Sequence, residues 1–226
     1  VLFCMVLIMP SEEYETVNYD IPNMRDYYTH IKGDGEDKVT LMVYMVGSDL
    51  ESDGGAASED IAEMTAANAD NINITLQTGG AAAWENASIS DGKTERHIIK
   101  NGELQNVANL GEAQMTSPNT LTDFIKWSAS NYPADRYELV LWNHGGGTAL
   151  GFGYDEMYPD DMLSLSQIGN ALSDSGIKFD IVGFDACLMG TIETAYMLEP
   201  YADYLVASEE YEPGTGWYYS CLLYTS

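Results

Sequence analysis

The run Val39-Thr40-Leu41-Met42-Val43-Tyr44-Met45-Val46 is almost wholly apolar, rich in β-branched residues and closed by Gly47. Such a run reads as a central strand buried on both faces. A polar, Gly-containing loop follows from Ser48 to Gly55. Ser58 is then placed to cap a helix in which Ile61, Met64 and Thr65 recur at helical spacing. Asn73–Thr78 gives a second strand, closed by Gly79-Gly80. Arg96–Lys100, Asn101-Gly102 and Glu103–Val107 spell a hairpin with an Asn-Gly turn. Ser117-Pro118-Asn119 precedes a helix carrying Leu121, Phe124, Ile125 and Trp127. Glu138–Trp142 is a third parallel strand. After an irregular stretch rich in Gly and acids, Gly145–Asp161, Ser164 or Ser166 caps a helix through Ile168 and Leu172. Phe179–Phe184 is a fourth strand, Leu188–Leu198 a helix stopped at Glu199-Pro200, and Tyr204–Ser208 a fifth strand. Strands alternating with helices predict an α/β fold: a mostly parallel central sheet with right-handed crossovers and an added β-hairpin.

This pattern gives two short segments their meaning. Trp142-Asn143-His144-Gly145-Gly146-Gly147 leaves the end of one predicted strand, and Phe184-Asp185-Ala186-Cys187 leaves the end of another. Parallel strands open their C-terminal ends onto one rim, where α/β sheets hold their sites. An imidazole and a thiol delivered there can form a base–nucleophile pair. Cys187 just before a helix would also feel the helix N-terminal dipole, which favours a thiolate. The Gly145–Gly147 run allows close backbone approach and offers N–H groups to an oxyanion. Asp185, two residues before Cys187, falls on the same rim and can pair with a basic side chain of a substrate. Each residue has a plainer reading: Cys187 as a small buried hydrophobe, His144 as a structural histidine, the glycines as a turn, Asp185 as a helix N-cap. His30 and His97 have no catalytic context.

Composition narrows the partners. The chain has 226 residues, 36 acids against nine bases and a net charge of −27. That balance disfavours nucleic acid and anionic membrane surfaces and favours basic ligands, including peptides rich in Lys and Arg. Three widely spaced cysteines, Cys4, Cys187 and Cys221, give neither a disulfide framework nor a zinc spacing. Residues 1–37 are expected to be the remnant of an export signal followed by an acidic, Tyr-rich linker. The alternative for the apolar Val1–Met9 is an ordinary first strand, and Cys4 is a candidate lipid-bearing cysteine. Residues 38–220 are expected to form the folded domain, cut short at its C-terminus, with 221–226 a tail of no functional meaning.

Leu41–Asp49, Trp142–Gly147, Gly183–Gly190 and Glu212–Trp217 together resemble the clostripain family of cysteine peptidases, over roughly residues 38–219. The resemblance implies a caspase-like three-layer α/β/α sandwich. It implies a cysteine endopeptidase in which Cys187 attacks the scissile carbonyl and forms a thioacyl-enzyme, and His144 acts as acid and base. Gly145 and Cys187 would supply the oxyanion N–H groups, and Asp185 would recognise a P1 Arg or Lys, with Glu209 or Glu210 as a supporting acid. No cofactor is required, but some members bind calcium, for which the acids Asp155, Glu156, Asp160 and Asp161 are candidates; a solvated acidic loop is their plainer reading. Members are cut after a basic residue between the catalytic His and Cys. Here that interval holds only Lys178, and none falls in Gly145–Asp161. The implied partners are peptide or protein substrates, and the implied location is a bacterial exterior, with membrane contact only through a signal or lipid anchor.

Two other function classes compete. A non-catalytic binding or surface module of the same fold has no need of both His-Gly and Ala-Cys. A nucleotide-binding α/β domain lacks a glycine fingerprint, since Gly47-Ser48-Asp49 matches only in part.

Overall fold

The computed structural model describes residues 5–8, 37–67 and 72–224. Within them lie eight strands, β1 (Met5–Ile8), β2 (Val39–Val46), β3 (Ile72–Gly79), β4 (Glu95–Lys100), β5 (Glu103–Asn109), β6 (Arg136–Trp142), β7 (Phe179–Asp185) and β8 (Ala202–Ala207). They form one sheet in the order β1-β8-β7-β6-β2-β3-β4-β5. The stretch β8-β7-β6-β2-β3 is parallel, whereas β1, β4 and β5 run antiparallel to their neighbours. The helices are α1 (Ser48–Ser52), α2 (Ala56–Ala67), α3 (Pro118–Asn131), α4 (Gly147–Leu150), α5 (Leu165–Ser175) and α6 (Ile192–Leu198), with a 3₁₀ turn at Tyr219–Tyr224.

The apolar strands feed two cores because successive side chains point to opposite faces. Met42, Tyr44 and Val46 of β2 join Leu139, Leu141, Val182 and Phe184 beneath α3, α5 and α6. Leu41, Val43 and Met45 join Val140 and Trp142 beneath Ile61 and Met64 of α2. Helices on both faces of a mostly parallel sheet give the expected α/β/α layering. The hairpin follows its turn chemistry: Asn101 and Gly102 both take positive φ, 54° and 72°, as a type I′ turn requires.

Several boundaries differ from the sequence reading. The polar stretch after β2 contains α1. Ser58 lies inside α2 rather than capping it, and its hydroxyl donates to Glu51 at 2.5 Å. Ser164, not Ser166, caps α5 in a full capping box with Gln167. The stretch after β6 is folded: buried Phe152 bridges Gly145 and Leu163, and α4 sits between them. The helix expected from Leu188 starts only at Ile192, capped by Thr191, because Leu188 takes φ 64° in a turn. Met5–Ile8 pairs with β8, the alternative noted for the apolar leader; Cys4, His30 and the linker lie outside the described residues. Leu222 packs against the α2-side core.

Candidate functional site

β2 and β6 are neighbours, but the chain leaves β2 toward β3 on one side and returns to β6 on the other. The crevice at such a switch point is where open α/β sheets bind ligands. His144 leaves β6 there. In the β6–β7 register Trp142 lies opposite Asp185, so the chain leaves both strands at the same level, two residues before His144 and Cys187. Adjacent strands lie about 4.8 Å apart. Gly145 packs directly on Cys187: a Cβ at 145 would collide with the Cys187 carbonyl oxygen. The turns that carry the two side chains are therefore packed on each other, His144 with 40% of its side chain exposed and Cys187 half-buried.

The histidine end is tied down by a polar network. Asn143 donates to Val46 O and to Ser48 Oγ at 2.8 Å, and accepts from Tyr154 N–H. Ser48 is wholly buried with φ 52°, a strained conformation for a non-glycine residue. The turn this creates brings Asp49 Oδ1 to 2.9 Å from His144 Nε2. Burial alone would raise the Asp49 carboxyl, but the hydrogen bond and charge of His144 hold it below its ordinary value. The sequence reading gave Asp49 no role.

The cysteine end differs from expectation in one respect. Cys187 does not sit at a helix N-terminus, so the dipole argument for it lapses. Instead the Glu212 N–H points at Sγ at 3.4 Å, bringing a partial positive charge to the sulfur. The N–H groups next to the expected oxyanion donors are committed, Gly146 to Gly151 O and Leu188 to Glu210 O. Those of Gly145 and Cys187 donate to no backbone carbonyl in these turns.

Below Cys187 lies a stack of acids. Asp185, 5% exposed, accepts from Tyr219 OH at 2.9 Å and from Trp217 N at 3.2 Å, so it is not a helix N-cap. Glu212 meets it side chain to side chain, and also accepts from Trp217 Nε1. Burial, then the contact with Asp185, pushes the Glu212 carboxyl up to about 8, and burial raises Asp185 too. Glu212 Oε2 is buried without a donor, which a proton shared between the two carboxyls satisfies. Asp60 of α2 accepts from Trp142 Nε1 at 2.7 Å and is itself raised to about 8, by burial first and by Asp185 among its neighbours. Among the described residues, no Lys or Arg pairs with any of the three. Glu209 and Glu210 are exposed; the acid that reaches Asp185 is Glu212. Its signal in the sequence was Glu212-Pro213-Gly214-Thr215-Gly216-Trp217, whose tight turn lets Gly216 pass over the Asp185 carboxylate.

Two of the four calcium candidates are taken up by protein donors. The buried Asp155 carboxylate accepts from Met115 and Met157 N–H, and Glu156 accepts from Ser52 and Ala82. Among the described residues no group of three or more His, Cys, Asp or Glu side chains is placed to hold a metal ion. His97 is buried beside Thr78 at 3.0 Å, and burial lowers its imidazole to about 4, so it is a neutral core histidine.

The profile of the clostripain family matches residues 43–226. The chain belongs to the clostripain family. Clostripain from Hathewaya histolytica is 32% identical over 219 residues, 80% of this chain and 41% of that protein. A secreted cysteine protease from Bacteroides thetaiotaomicron, solved with an irreversible peptide inhibitor, superposes with a TM-score of 0.67 at 25% identity, over 83% of this chain and 53% of that one. An inactive zymogen protease from Parabacteroides distasonis gives 0.62 at 24% identity, over 81% and 52%, and supports the fold alone. The chain thus spans about half the length of the relatives it matches. Among the described residues no helix is long and apolar enough to cross a membrane.

Proposed function

We propose that this clostripain-family chain carries the active centre of an exported bacterial cysteine endopeptidase that cuts after Arg or Lys. The carrying observation is the contact between the turns bearing His144 and Cys187, beside a buried Asp185–Glu212 pair with which no Lys or Arg pairs among the described residues. A buried charge is costly unless paired, so a pocket built of carboxyls selects a cationic side chain. With that side chain seated on Asp185, two residues before Cys187, the next carbonyl would come within reach of the sulfur.

Cys187 Sγ bonds to the carbonyl carbon as its proton passes to His144. The oxygen becomes an anion facing the Gly145 and Cys187 N–H groups. The C–N bond then breaks, the amine leaves with the proton from His144, and a thioester remains on Cys187. Water, deprotonated by His144, cleaves the thioester and restores the thiol. Export is supported by the secreted relative.

The test is hydrolysis of an arginyl reporter by the protein and its Cys187→Ala variant. The variant should lose more than about a thousandfold of turnover with an unchanged circular dichroism spectrum. Retained turnover would overturn the assignment.

A further inference from the structure

We propose that Asp49 is a positioning residue for His144, making the centre a Cys–His–Asp triad held by the Ser48–Asn143 clamp. The inference rests on the proposed peptidase reading. The sequence places Asp49 in a polar loop about a hundred residues before His144, and only the sheet order brings them together. Three independent features set the contact. Asn143, the residue before His144, bonds Ser48, the residue before Asp49, so the two turns are fastened to each other one position short of the functional pair. Ser48 accepts backbone strain at φ 52° in a wholly buried position, and a Gly there would not supply the Oγ that Asn143 needs. Asp49 is ionised and can only accept a hydrogen bond, so His144 Nε2 must carry the proton.

The chemistry follows from that tautomer. With Nε2–H donated to Asp49, the lone pair of the neutral ring lies on Nδ1, the nitrogen left to receive the Cys187 proton. Once it is received, the positive imidazolium lies against an anion 2.9 Å away. Asp49 keeps its own charge throughout and exchanges no proton. Other ionisable groups near these turns are Cys187 and Asp185 at the end of β7 and Glu212 in the segment beyond β8, with Asp60 of α2 behind Asp185. All four are acids, and among the described residues the hydrogen bond to the ring comes from Asp49. Because both members of the His144–Asp49 pair are about half-exposed, its effect is smaller than in a buried triad.

The experiment compares wild type with Asp49→Asn and Asp49→Ala by steady-state hydrolysis of an arginyl reporter, by Cys187 alkylation with iodoacetamide from pH 5 to 9, and by thermal melting. Exposed Cys221 serves as an internal reference for alkylation. Asp49→Asn should lower kcat about tenfold and Asp49→Ala about thirtyfold, with KM within twofold and melting within about 2 °C. Cys187 alkylation at pH 6 should slow about tenfold in both variants while Cys221 is unchanged. Unaltered kcat and alkylation profiles overturn the inference. So does a loss of activity that tracks a fall in melting temperature with no change in profile, since that is a structural role. Failure of wild type to cleave the reporter would instead strike the peptidase reading, and the alkylation profiles would still decide the role of Asp49.

Discussion

The two strand ends that meet at this mouth are built in opposite ways. At the end of β6, His144 stands half in solvent with one ring nitrogen bonded to Asp49, and Asn143, Ser48 and Tyr154 lock the turn beneath. At the end of β7, Asp185, Glu212 and Asp60 are crowded into a poorly solvated stack, with no cation of the described residues among them. A satisfied network holds one geometry and changes little on binding. A stack of uncompensated acids stores protons that a cationic ligand can displace. On the proposed reading, the histidine end would set the position of the base and the cysteine end what is admitted.

That contrast fails first at Asp185. Asp185→Asn removes the pocket's charge while keeping acceptors for Tyr219 and Trp217. It should cost about a hundredfold in kcat/KM on an arginyl substrate and less than about threefold on a neutral one. Equal losses on both would show that Asp185 is structural. Glu212→Gln sharpens the same point through pH. A guanidinium entering the carboxyl pair expels the shared proton, so binding releases a proton and tightens as pH rises. KM for an arginyl substrate should therefore fall by up to about tenfold per unit between pH 6 and 8 in wild type, levelling near the Glu212 value of about 8. In Glu212→Gln the slope should be lost, and a slope that survives places the proton elsewhere. Asp60→Asn has the smallest effect. Asp60 holds its proton to about 8 when folded and to about 4 when unfolded, so the folded state binds more protons across that window. Stability from this residue is present at low pH and is lost as pH rises toward 8. The variant keeps an acceptor for Trp142 and should melt roughly 5 °C higher than wild type at pH 8, but no higher at pH 4.5. A constant offset across pH would contradict this.

Much of the architecture was legible because it rests on local signals. Val39–Val46 is apolar at nearly every position because both faces of β2 are covered, and Asn101-Gly102 is a turn that few other pairs can make. His144 and Cys187 stood out because each follows a buried strand directly. What was not legible depends on which segments meet. Asp49 gains its role from β2 lying beside β6, an order that no window of sequence contains. Glu212 gains its role from a chain that folds back over Asp185; the nearer acids Glu209 and Glu210 have the same chemistry but face solvent. The helix after Cys187 was overextended because Leu188 looks like a helix former, yet it is held in a left-handed turn by its bond to Glu210.

The account stands or falls on one thiol beside one acid pocket, and labelling reads both together. The protein should be titrated with a peptidyl-arginyl chloromethyl ketone and mapped by mass spectrometry, beside the same peptide ending in leucine. The account predicts one equivalent of the arginyl reagent on Cys187, none on the exposed Cys221, and labelling by the leucyl reagent slower by about a hundredfold. Equal rates for the two reagents, or labelling shared between Cys187 and Cys221, would contradict it.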